Sequence, residues 1–466
     1  TYRYSKDIFD YLESEIGVAY PWQNYKQVPV RDFLYAGMEN TTATFFSEAF
    51  VTDSIGFADR NYVNVNAHEL AHQWFGNLVT ETEGTHHWLH EGFATYFALL
   101  AEKAIFGEDY YYWKLFQSAE QLKALSDEGK GESLLNAKAN SLTFYEKGAW
   151  ALHVLKSRIG EEAFKNTIVN YLEKFRFKNV TTENFLNEAR AASGQDLKEF
   201  EADWLNQSAF KAEQAYKSLM ESAFIKKYFE VAALGQFSLA QKRLQLKTAL
   251  TFPNDYIGQE AIYQLAMEPI SETIGLYKNG FASNNTYVRQ AIALSLESIP
   301  EELKEDYESL LNDGSYVTQE ASLYQLWAQF PENRSIYLNK MQDVIGFQNK
   351  NVRQLWLVLA LVDPMYRIAE KEKFKNELKS YTSPVYSFEI RETAFGYISE
   401  LQLWDTQVLA NLVNASAHPS WRFKKYARRL LASVLKNETF KNQIILGMEA
   451  YSEEEKTYLL TILTSE

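Results

Sequence analysis

The stretch NAHELAHQWFGNLVT, residues 66–80, sets two histidines four positions apart around a glutamate, ahead of a tryptophan, a phenylalanine and a glycine. Four residues is just over one helical turn, so on a helix His68 and His72 share a face and both imidazoles can reach one ion. Glu69 lies in the same neighbourhood without being a ligand. A catalytic zinc site takes three protein donors and leaves a further position to water, so two histidines need one more donor. Glu91 stands downstream in WLHEGFATYFALLAEKAIFG, whose apolar residues recur at helical spacing and which ends on Gly107. A second helix packed on the first would carry that carboxylate to the metal. In isolation the two-histidine pattern also occurs on polar helix faces, and the surrounding sequence has to decide.

Composition narrows the classes. A chain of 466 residues with 46% apolar residues can bury a sizeable core and should form two or more domains. With no cysteine there are no disulfides and no thiolate ligands, so His and carboxylate are the metal donors and the redox compartment stays open. A formal charge of −14 argues against a nucleic-acid surface. No apolar run reaches membrane length; LWLVLALV at 355–362 is ended by Asp363 and Pro364 and reads as a buried helix. A soluble protein, cytoplasmic or exported, is expected. Thr1 opens a polar aromatic stretch with no apolar signal core, which reads as a trimmed chain whose first twenty or so residues form a helix with Ile8, Tyr11, Leu12 and Ile16 on one face.

HELAHQWFGNLVT followed by WLHEGFATY resembles the gluzincin zinc aminopeptidases, the family of aminopeptidase N and leukotriene hydrolase. Upstream, YAGMENTTATFF is similar to the family's Gly-x-Met-Glu-Asn exopeptidase motif; downstream, SLTFYEKGAWALHVLK is similar to its Tyr-x-Lys-Gly segment. KFRFKNVTTENF and EADWLNQ resemble the end of the family's catalytic domain, so the likeness covers roughly residues 1–207. It implies a thermolysin-like zinc peptidase that removes N-terminal residues from peptides. One Zn2+ per chain would be held by His68, His72 and Glu91, with Glu69 as general base and Tyr145 stabilising the oxyanion. Gly37, Met38, Glu39 and Asn40 would bind substrate, Glu39 by pairing with the free α-ammonium. No other His or carboxylate cluster shows ligand spacing. Relatives carry a β domain ahead of the zinc domain, and nothing in this chain corresponds to it.

Departures from the pattern fall at Ala36, at His90 where an Asn is usual, and at Gly84 and Thr85 in ETEGTHHW. They put in doubt the outer shell that orients the ligands. His86 and His87 read as loop or packing residues, and His153 as a core histidine. Two other classes fit parts of the pattern. A thermolysin-like endopeptidase would share the ligands and Glu69 but has no use for the Glu-Asn pair, and a non-catalytic binding module would not need the full set.

Beyond about residue 209 the chain becomes amphipathic helices separated by short polar turns. NNTYVRQAIALSL at 284–296 and KNVRQLWLVLAL at 350–361 both set Val-Arg-Gln at the head of an apolar helix, with FEIRETAFGYI at 388–398 a weaker echo. Repeated helix pairs of this kind read as an irregular HEAT-like solenoid. The expected architecture is mainly α, with an α+β zinc peptidase domain over residues 1–208 followed by a helical HEAT/armadillo-like domain over 209–466 and no β-sandwich between them. In SWRFKKYARRLLASVL at 420–435, a basic cluster that also reads as a solvated helix face, Arg422 and Lys424 loosely resemble a basic pair that grips a substrate's C-terminal carboxylate in the leukotriene hydrolase branch, which would make them substrate-binding.

Overall fold

The computed structural model describes residues 1–464, and they are mainly helical. Among them, strands occur only before residue 181, in a three-stranded and a two-stranded sheet. The chain divides into two compact units. One comprises Thr1–Pro29, Tyr35–Phe46 and Asn61–Ser238; the other comprises Val30–Leu34, Ser47–Arg60 and the chain from Leu239 onward.

In the first unit α1 (Ser5–Ile16) buries Ile8, Leu12 and Ile16, while Tyr11 is only half-buried. It stops at Gly17, whose φ of 75° lets its N–H turn back to the Glu13 carbonyl. The larger sheet runs in the order β1 (Lys26–Val30), β3 (Ala43–Ser47), β2 (Gly37–Met38), so β2 is an edge. It pairs antiparallel with β3 through Gly37↔Phe46 and Met38↔Phe45. The following α2 (Val63–Ala71) is buried on nearly every face, as expected of a central helix. It packs on α3 (Trp88–Phe106), which in turn packs on α4 (Glu108–Asp127) and α5 (Gly148–Ile159). Between α2 and α3 runs β4 (Val79–Glu81), pairing parallel with β5 (Lys178–Val180) in the register Glu81↔Val180.

Two glycines set how closely α3 and α5 approach. A Cβ on Gly92 would stand 2.8 Å from the Gly148 Cα, so the helices cross backbone on backbone and neither position tolerates a side chain. That crossing seats the π-helical turn Thr143–Lys147, which leads into α5, against α3.

In the second unit the helices Asp255–Ala266, Thr286–Ser295, Tyr316–Gln329, Asn351–Val362, Phe388–Leu401 and Trp421–Val434 stack each upon the next. The helices Ile270–Ala282, Arg334–Met341 and Lys371–Ser380 each pack against both of their neighbours in sequence. This is the alternating pattern of a helical solenoid. The repeated arginine near the helix heads has a structural job. Arg289 bonds Asp313 and Arg353 bonds both oxygens of Glu377, each tying its helix to the segment that follows, while Arg391 donates to the Thr382 and Asn411 carbonyls and so ties its helix to the segments on both sides. Segment Ser47–Arg60 joins this unit through Asp59, whose carboxylate accepts Ser315 Oγ, Gln290 Nε2 and the Tyr316 amide at the start of helix Tyr316–Gln329. No helix of the described chain is long and apolar enough to cross a membrane.

Candidate metal centre

His68 and His72 stand on the last turn of α2 and Glu91 on the first turn of α3. The orientation is favourable for both, since a helix C-terminus favours cations near it and an N-terminus favours anions. All three are buried, and their donor atoms converge. His68 Nε2 lies 3.2 Å and His72 Nε2 3.3 Å from Glu91 Oε2, and the two nitrogens are 3.1 Å apart. Zinc bonds of about 2.0–2.1 Å in a tetrahedral shell put neighbouring donors about 3.3 Å apart, so the triangle has the size of one face of such a shell. His72 Nδ1 donates to the Phe75 carbonyl at 2.9 Å, which turns the lone pair of a neutral ring, on Nε2, toward the other two donors. The donor set therefore fits zinc.

Burial works to raise the Glu91 carboxyl, and the two imidazoles beside it outweigh that, holding it well below the usual carboxylate range. Glu69, one residue from His68, has no such partner. Burial pushes its carboxyl up to about 8 against the opposing pull of His72, and a cation held by the three donors would draw it back down. Among the described residues nothing donates a hydrogen bond to its oxygens. Its side chain lies flat on β2: a Cβ on Gly37 would fall 2.3 Å from Glu69 Oε1, which is why this strand carries glycine there.

Glu39 follows β2 directly and is half-buried, with Met38 and Asn40 exposed. Its carbonyl accepts Asn77 Nδ2 at 2.7 Å and Gln73 Nε2 at 3.3 Å, so two polar side chains just past His72 fix the end of the strand. Tyr145 sits on the π-helical turn, its ring parallel to that of His68 with centroids 5.4 Å apart, and its hydroxyl is near enough to Glu91 to feel its charge. Burial, then the Glu91 charge, pushes its phenol up. Lys147, two residues on, faces away from this cluster. It is buried and donates to the carbonyls of Glu132, Gln207 and Ser208, closing the loop before the turn onto the segment after residue 206.

The structure thus brings His68, His72, Glu91, Glu69, Gly37 and Tyr145 together in the first unit. Arg422 and Lys424 belong to helix Trp421–Val434 of the second. His153 is buried and fully bonded, Nδ1 to the Tyr111 hydroxyl and Nε2 to the Ser218 hydroxyl, both at 2.8 Å. Contrary to the expectation of a single cluster, Glu81, His87 and His90 form a second group of metal-ligand residue types beside the first. Spacing alone hid it, because its members meet only through the placement of β4 beside the start of α3.

Comparison with known proteins agrees with this geometry. Residues 1–204 match the peptidase family M1 domain. Aminopeptidase M1-B of Oryza sativa subsp. japonica is 33% identical over 215 residues, 43% of this chain and 24% of that protein. A probable aminopeptidase 1 of Sulfurisphaera tokodaii is 30% identical over 226 residues, 44% of this chain and 28% of that protein. The matches thus span about a quarter of the curated relatives' length. In structure, native leukotriene A4 hydrolase from Saccharomyces cerevisiae resembles the chain with a TM-score of 0.53 at 18% identity, covering 91% of this chain and 62% of that one, which is a likeness of fold. The motifs, the donor triangle and the family match agree, and residues 1–204 are thus similar to the peptidase family M1 domain.

Proposed function

We propose that the chain is a zinc-dependent aminopeptidase that hydrolyses the first peptide bond of peptides with a free N-terminus. The observation that carries this is the convergence of His68, His72 and Glu91 donor atoms beside a Glu69 carboxylate pressed onto the edge strand β2. One zinc per chain, bound by those three donors, would supply Lewis acidity and ease the ionisation of water at neutral pH.

The rest is the work of the chain's own residues. An extended peptide can add to the open edge of β2 by main-chain hydrogen bonds. Glu39, at the end of that strand, then meets the substrate's α-ammonium, and this pairing sets the register so that the first peptide bond is the one presented. Glu69 takes the proton from the attacking water and passes it to the leaving amine, the task of a buried carboxylate whose proton affinity is raised by its surroundings. Tyr145 presents its hydroxyl to the developing oxyanion, donating a hydrogen bond that strengthens as the carbonyl becomes tetrahedral.

The test is turnover of aminoacyl amides and short peptides by the zinc-loaded chain, with the same substrates N-acetylated. Release of the first residue from free substrates only is expected. Equal cleavage of acetylated substrates would make the chain an endopeptidase instead, and no cleavage of either by zinc-loaded protein would remove the assignment.

A further inference from the structure

His87 lies at the end of the 3-10 turn before α3, half-buried, with a carboxylate on either side of its ring. Its Nδ1 is 3.0 and 3.2 Å from the two oxygens of Glu81, and its Nε2 is 3.6 Å from Glu91 Oε1. That second oxygen is the one Glu91 does not turn toward His68 and His72, since both approach Oε2. The ring is braced edge-on by Phe144, centroid to centroid 5.0 Å, the residue before Tyr145. Glu81 is fixed in turn. Its backbone is held by the β4–β5 register and by Asn179 Nδ2 on its carbonyl at 3.0 Å, and its Oε2 stands 3.5 Å from His90 Nδ1.

The same residues could be taken for a second metal site, but His90 argues otherwise. Its Nε2 accepts the Glu81 backbone N–H at 2.9 Å, so in the neutral ring the proton sits on Nδ1, the nitrogen facing Glu81. A nitrogen that carries a proton is a donor to a carboxylate and cannot ligate a cation. The group is a run of imidazoles and carboxylates, hydrogen-bonded at Glu81 and reaching Glu91 through an ion-pair contact of His87.

We propose that His87 is a positioning residue for the ligand Glu91: anchored by Glu81, it engages Glu91 Oε1 and leaves Oε2 alone to face the two histidines. A carboxylate with one oxygen occupied by a neighbour presents a single oxygen in a fixed direction, whereas a free one swings between one- and two-oxygen binding. Partners of this kind are typically worth about 10- to 100-fold in metal affinity. The effect of Glu81 is exerted through His87.

This rests on the zinc reading above, so the experiment starts with wild-type zinc affinity, measured by competition with a chromophoric chelator. His87→Leu should weaken zinc binding about 10- to 100-fold while the metal-free protein melts as the wild type does. His87→Gln, which keeps a donor, should recover most of the loss. Glu81→Gln should weaken binding less, and adding it to His87→Leu should change nothing further. Wild-type zinc affinity in a folded His87→Leu chain overturns the proposal; if that variant does not fold, unchanged affinity in Glu81→Gln does so. A His87→Gln variant as weak as His87→Leu also overturns it, since filling space would then be all the ring does. A wild-type chain that binds no zinc overturns the metal reading itself and this inference with it.

Discussion

At the head of helix Asn351–Val362 in the second unit, the mostly buried Arg353 meets Glu377 with Nε on one oxygen and Nη2 on the other, both at 2.7 Å. At the junction of α2 and α3 in the first unit, two imidazole nitrogens and a carboxylate oxygen face one another at 3.1–3.3 Å. The first cluster is complete: donors and acceptors match, and nothing further is needed to satisfy the charge. In the second, three lone-pair donors are turned inward on one another in a buried place, an arrangement that burial penalises unless a cation joins it. Self-sufficiency marks a charge placed for structure, and its lack marks one placed for chemistry.

Glu69 is the sharpest test of that distinction, because it is buried, unbonded and not a ligand. Glu69→Gln keeps the shape against Gly37 and should keep the zinc, yet turnover should fall by about 10²- to 10⁴-fold, the scale of a general acid–base group. Zinc content and turnover measured on the same sample check this. Near-normal turnover in a zinc-loaded variant would place Glu69 with the structural charges. Tyr145→Phe removes only a hydroxyl from a ring stacked on His68, and should lower turnover by about 10²- to 10³-fold with the Michaelis constant little changed. A rise in that constant alone would make Tyr145 a substrate-binding group.

His153 sharpens the comparison from the other side, as a buried histidine of the first unit with both nitrogens bonded to hydroxyls. Burial, aided by Lys156 and Lys103, lowers its pKa from 6.5 to about 4. Between those values the unfolded chain binds the proton and the folded one does not, so stability falls as pH drops through that window and is unaffected above it. The full loss is about 3 kcal/mol at pH 4. Chemical denaturation across pH 7 to 4 should therefore give a shallower slope for His153→Gln than for the wild type. Identical slopes would mean that His153 is protonated in the fold.

Much of the site was legible in the sequence because local geometry carries it: a four-residue separation on a helix puts His68 and His72 on one face in any fold. The glycines were legible as motif letters, but their reasons, Glu69 lying on Gly37 and Gly92 meeting Gly148, needed the packing. What stayed hidden depends on distant segments meeting. Val30–Leu34 and Ser47–Arg60 belong to the second unit although they flank the strands of the first, and Asp59 reaches Ser315 across most of the chain. Likewise Glu81 and His87 look like loop residues until β5 fixes the course of β4. The Val-Arg-Gln repeat was visible as a recurrence, while the partner of each arginine was not, since two bond carboxylates on different later segments and the third, Arg391, bonds backbone carbonyls.

That variety is what the smallest test addresses. Arg353→Met leaves Glu377 with the Tyr381 hydroxyl, which donates to its Oε1 at 2.8 Å, but without the guanidinium that bonds both its oxygens. Losing hydrogen bonds to a charged group should cost about 1.5–3 kcal/mol, read from the denaturation midpoint of the variant. Arg353→Lys should fall between the two, because an ammonium cannot match both carboxylate oxygens at once. Zinc affinity should be the same in all three chains, as the pair is closed on itself. A neutral Arg353→Met would mean that the cost of burying the pair cancels its attraction, as can happen for buried ion pairs. The repeated arginines would then be holding one register among the stacked helices, and self-sufficiency of a charge cluster would no longer imply that it stabilises the fold.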